Sequence, residues 1–96
     1  MIAGPPDSEA DAERLRELVE RFGLSERVRL DLRFLPRATY ADYLNGAAAV
    51  AYLPFDEDSL GYVSMEAATA GKALITTSDS GGILALAKHQ ETGWVV

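Results

Sequence analysis

Asp58 and Glu66 are two carboxylates separated by seven residues, with Gly61 between them and a run of helix-forming residues after it. The pattern predicts a helix from about Gly61 to Ala70, stopped by Gly71. The amides of Gly61, Tyr62 and Val63 then fall in a first turn, where N–H groups have no intrahelical acceptor. An anion such as a diphosphate placed there gains those hydrogen bonds and the positive end of the helix dipole. Gly61 lets such a ligand come close to the backbone. Glu66, about a turn further in, is placed to accept two hydrogen bonds from a diol.

Each of these features also has a plainer reading. Asp58 could cap the helix or belong to a solvated acidic loop, Asp56-Glu57-Asp58, and Glu66 could be a surface residue. Ser80-Gly81-Gly82 reads as a turn that opens the next helix beside the same site. The acids at 56 to 58 raise magnesium, but no second carboxylate cluster accompanies them, so no metal is expected. His89 and Lys72 read as solvated surface side chains.

The elements that position these residues alternate. A strand tail, Met1 to Ala3, leads through Gly4-Pro5-Pro6 to a helix of roughly Glu9 to Phe22. Ser8 is its N-cap, Gly23 its stop, and Leu15, Leu18, Val19 and Phe22 its apolar stripe. Val28 to Leu32 alternates as a strand should and runs on into Phe34-Leu35. Thr39 is expected to cap a short helix through Leu44. Ala47 to Leu53 is a continuous apolar run, expected as a strand buried on both faces, and Ala73 to Thr77 is a second. A helix over Ile83 to Lys88 and a turn at Glu91-Thr92-Gly93 precede Trp94-Val95-Val96. Strands alternating with helices at this spacing define an α/β fold: a Rossmann-like parallel sheet with helices on both faces. Ligands then bind beyond the carboxyl ends of the strands, here at Gly4–Asp7, Pro54–Leu60 and Ser78–Gly82. The first strand is short and no helix closes the last, so one sheet face is expected to lack cover, to expose apolar surface and to favour self-association.

The length of 96 residues suits one domain. A net charge of −6, with the arginines from Arg14 to Arg33 interleaved with acids, argues against nucleic acid and against an anionic membrane. With no cysteine, disulfides and thiolate metal sites are excluded. The N-terminus has neither the basic region nor the apolar stretch of a signal peptide, and a cytoplasmic location is expected.

The stretch LPFDEDSLGYVSMEAATAGKALITTSDSGG, Leu53 to Gly82, resembles the C-terminal, nucleotide-sugar-binding domain of family-four retaining glycosyltransferases of the GT-B fold. Their E-x7-E pair falls on Asp58 and Glu66, their A-x-G-K turn on Ala70-Gly71-Lys72, and their Ser-Gly-Gly turn on Ser80-Gly81-Gly82. The resemblance extends from Ile2-Ala3-Gly4 to Glu91-Thr92-Gly93, so residues 1–96 read as a single partial donor-binding domain, truncated at both ends. It implies transfer of a sugar from a nucleotide-sugar to an acceptor with retention, the nucleotide-sugar being a substrate and not a cofactor. By the same resemblance Glu66 holds the ribose hydroxyls, Asp58 holds hydroxyls of the donor sugar, and the base rests near Phe34 and Leu35, within Arg33 to Pro36. Neither carboxylate is a nucleophile in this scheme. The chain departs from the family in having Asp58 for glutamate, Ala85 for an acid, Ala49 for aspartate and Ala73 for proline. These leave a non-catalytic nucleotide-binding or interaction module, or an inactive fragment, as the alternative.

Overall fold

The computed structural model describes Met1–Val96. The chain forms two compact units, Met1–Tyr40 and Ala41–Val96.

In the first unit, β1 (Ile2–Ala3) pairs in parallel with β2 (Leu30–Asp31) across the helix α1 (Glu9–Arg21). Ser8 caps α1 as its sequence position predicts, its Oγ accepting the Asp11 N–H at 3.2 Å. The helix closes in a Schellman motif: Gly23, at φ 63°, donates to the Glu20 carbonyl at 2.9 Å and Leu24 to that of Val19 at 2.8 Å. Strand β2 is shorter than the alternation predicts. Val28 at its start is held in a turn by the Leu24 carbonyl, at 2.8 Å, and past Asp31 the Arg33 N–H turns back on the Asp31 carbonyl, at 3.1 Å. Phe34 and Leu35 therefore lie beyond the ladder and not in a strand.

Helix α2 (Arg37–Gly46) begins before Thr39, the predicted cap. Tyr40 donates to the Pro36 carbonyl at 3.0 Å, and a proline suits that place because its own N–H is not needed there.

The second unit carries β3 (Ala49–Ala51), α3 (Tyr62–Thr69), β4 (Ala73–Thr76) and β5 (Gly93–Val95). The sheet order is β3-β4-β5, parallel throughout, with Val50 beside Leu74 and Ile75 beside Trp94. Both crossovers advance one strand in the same direction. Because such connections are right-handed, both belong on one face. Burial agrees: Leu74 packs with Ala67 of α3 and with Ile83 and Ala87, and Leu44, Val50, Tyr52, Leu86 and Val95 surround them. The opposite face, Ala49, Ala51, Ala73, Ile75 and Trp94, is bare, with Ala51, Ala73, Ile75 and Trp94 exposed. The run from Ala47 to Leu53 is thus not buried on both faces, nor is Ala73 to Thr77: Ala51 is exposed in β3, and exposure alternates along β4.

The expected helix over Ile83–Lys88 is a short 3₁₀ turn, Gly82–Ala85. It stops because Thr92 competes for its end: Thr92 Oγ1 donates to the Leu86 carbonyl and accepts the Lys88 N–H at 3.0 Å. No helix in the chain is long and apolar enough to cross a membrane.

Candidate functional site

Between β3 and α3 the chain makes an exposed acidic loop, whose shape is held by backbone and side-chain hydrogen bonds. Asp56, at φ 46°, donates from its backbone to the Asp79 carbonyl at 2.8 Å. Glu57 pairs as a parallel bridge with Gly81, and the Gly82 N–H donates to the Glu57 carbonyl at 2.7 Å. The Glu57 carboxylate accepts both the N–H and the hydroxyl of Ser59, at 3.3 and 3.1 Å. The loop after β3 is therefore strapped to the loop after β4, which brings Ser80-Gly81-Gly82 beside Asp58 as the sequence suggests.

The two glycines of that turn are required by this close approach. A Cβ on Gly82 would lie 2.5 Å from the Asp58 carbonyl oxygen and 2.8 Å from that of Ser59, and one on Gly81 would strike the Glu57 carbonyl oxygen. Ser80 is buried, with its hydroxyl donated to the Thr77 carbonyl at 2.6 Å and accepting from Thr76 Oγ1 at 2.8 Å. That hydroxyl is committed to the interior.

Gly61 is the N-cap of α3, at φ 68°, with no side-chain capping bond. Asp58 therefore does not cap this helix, which removes one of its plainer readings. The first amide of α3 to find a carbonyl is that of Met65, at 3.4 Å from the Gly61 oxygen, so the donors before it point out of the helix start. Ser64, fully buried, turns its hydroxyl back onto the carbonyls of Leu60 and Gly61, at 2.9 Å for the latter, and so fixes the entry into the helix from inside. Gly61 is also fixed by packing: a Cβ there would lie 2.7 Å from the Tyr52 hydroxyl oxygen. Tyr52 is a residue the sequence reading passed over. Its only signal is a half-polar side chain at the end of an apolar run.

Tyr62 and Glu66 are exposed and four apart, hence neighbours on one stripe of α3, while Ser64 and Ala67 face the core. No lysine or arginine lies between Leu53 and Gly71, so backbone amides must meet any phosphate charge at this end of the helix. Helix α3 ends as α1 does, with Gly71 donating to Ala68 and Lys72 to Ala67, at 3.0 and 2.9 Å. Lys72 is not the free surface cation expected of it: its Nζ donates to the Asn45 carbonyl at 2.7 Å, in the last turn of α2. His89 also has a partner, its Nδ1 accepting the Val95 N–H at 3.2 Å, with the ring 4.6 Å from that of Trp94. Phe34 and Leu35 belong to the first unit, where Phe34 is exposed and Leu35 half-buried. A groove runs over the bare sheet face between Ala49, Ala73, Ile75 and Trp94, and neither Asp58 nor Glu66 lines it.

An open helix start beyond the carboxyl ends of parallel strands marks a Rossmann-like α/β domain, a class of fold whose ligands generally bind at the loop edge of the sheet. The family model described as glycosyl transferases group 1 matches residues 1–96, and the chain belongs to that family. The family is one of transferases that move glycosyl groups. No curated protein and no solved structure matches the chain.

Proposed function

We propose that the start of α3 and the loop before it bind the nucleotide-sugar donor of a retaining glycosyl transfer. The observation that carries this reading is the helix start at Gly61, open and without a side-chain cap, with Asp58 on the strapped loop before it and Glu66 one turn in. In this scheme the amides of Gly61, Tyr62 and Val63 receive the diphosphate. Glu66 accepts the ribose hydroxyls and Asp58 those of the donor sugar. The contribution to catalysis is positioning, together with stabilisation of the charge that builds on the leaving diphosphate.

Calorimetric titration of the chain with uridine and guanosine diphosphates tests the reading. Glu66→Ala should weaken the nucleoside diphosphate that binds by about 1.5–3 kcal/mol, the range for hydrogen bonds to a charged group. Equal affinity in variant and parent would remove Glu66 from the site. A second reading, binding without turnover, is favoured by Ala85, where the family carries an acid. Donor bound but never consumed in the presence of acceptor sugars would select it.

A further inference from the structure

We infer that the side chain of Tyr62, beyond its backbone amide, is a stacking surface for the pyranose ring of the donor sugar and so helps to set donor specificity. The inference rests on the donor-site reading above. Tyr62 is 82% exposed, among the barest large apolar side chains in the protein, although it opens a helix whose next turn is packed into the core. In an α-helix the Cα–Cβ bond tilts toward the N-terminus. The first residue of a helix has no preceding turn to lie on, so its side chain leans past the helix start.

Three features of the chain around it give that exposed ring its context. Asp58 lies four residues before it, on a loop held to the β4 loop by the Gly82–Glu57 bond of 2.7 Å. Gly61, immediately before it, sits against the Tyr52 side chain, which leaves no room there for a side chain of its own. Glu66 shares its helix stripe, one turn on. A pyranose ring has hydroxyl edges and a C–H face. Carboxylates suit the first and an aromatic face the second, which is the usual mixture in small-ligand sites: apolar rings for area and a few polar groups for orientation. A nucleoside diphosphate lacks the pyranose, so the ring should distinguish the two ligands.

The test titrates UDP-glucose against UDP, and GDP-mannose against GDP, into parent chain, Tyr62→Ala and Tyr62→Phe, with circular dichroism to confirm that each is folded. Tyr62→Ala should lose roughly 3- to 10-fold in affinity for the nucleotide-sugar, the size of one stacked aromatic contact, and change little toward the matching nucleoside diphosphate. Tyr62→Phe should keep the parent's preference. An unchanged preference in Tyr62→Ala, with both ligands still bound, overturns the inference and leaves the donor site standing. Equal losses for both ligands also overturn it, since the ring would then act on the shared nucleotide part. A parent chain that binds no nucleotide at all overturns the donor-site reading and this inference with it.

Discussion

The backbone N–H of Gly82 donates to the carbonyl oxygen of Glu57 at 2.7 Å, and a Cβ on Gly82 would fall 2.5 Å from the carbonyl oxygen of Asp58. Two loops that are far apart in sequence are thereby held backbone to backbone, and Asp58 takes its place from a glycine in another loop.

Gly82→Ala should therefore act at a distance on the candidate site. The added methyl has to push the two loops apart, at a cost of about 1–3 kcal/mol, the usual range for forced overpacking. Gly71→Ala is the contrast: its φ is 67° but nothing lies within 4 Å of the added atom. It should cost only the backbone strain, about 1–2 kcal/mol. Urea unfolding of both variants, paired with nucleotide titration, separates the effects. Only Gly82→Ala should weaken binding, and a Gly82→Ala protein with parent stability and affinity would show that the strap is unimportant.

Ser80→Ala should be a stability variant and not a binding variant. Its loss leaves the Thr76 hydroxyl donor buried without an acceptor, which costs roughly 1–3 kcal/mol. Thermal or urea denaturation reads that cost. A stable Ser80→Ala protein that had lost nucleotide affinity would mean that the hydroxyl turns outward to the ligand.

Asp58→Ala should leave stability within about 0.5 kcal/mol of the parent, because the side chain is exposed and does not cap α3. Affinity for nucleotide-sugar should fall more than affinity for nucleoside diphosphate, its proposed partner being the sugar. A stability loss near 1 kcal/mol, the usual value of an N-cap, would instead return Asp58 to a capping role.

The bare face of β3-β4-β5 should make the chain self-associate. Trp94 is 50% exposed there beside Ile75, Ala51 and Ala73, an apolar surface of the kind that soluble monomers seldom leave open. Sedimentation velocity over a range of concentrations should show mass rising with concentration, and Ile75→Lys should shift the equilibrium toward monomer. A parent chain that stays monomeric throughout would refute this.

Local rules made some of this legible in advance. Ser8, the half-buried Leu15, Leu18 and Val19, and the glycines at 23 and 71 lie where capping and periodicity put them, whereas Phe22, expected to complete that stripe, is the C-cap of α1 and is 62% exposed. The helix start at Gly61, between Asp58 and Glu66, was equally visible, since it depends on spacing along one loop and helix. What local rules could not supply is contact between segments. The Tyr52 ring against Gly61, the Glu57–Gly81 bridge, and Lys72 on the Asn45 carbonyl all join positions that no sequence period relates. The apolar runs at Ala47–Leu53 and Ala73–Thr77 misled for a related reason. Apolar character records what a strand is able to bury on each face, and the cover itself comes from crossovers that here share one side.

That one-way winding also bears on how the Ala41–Val96 unit is assembled during synthesis. Each strand pairs with the one made just before it, β4 on β3 and then β5 on β4, so no pairing waits for a distant segment. Loop-closure cost is met one crossover at a time, the condition under which parallel sheets, otherwise slow to form, become accessible to a chain leaving the ribosome. The strap between the loops bearing Asp58 and Gly82 involves only the segments after β3 and after β4, so it makes no demand on β5.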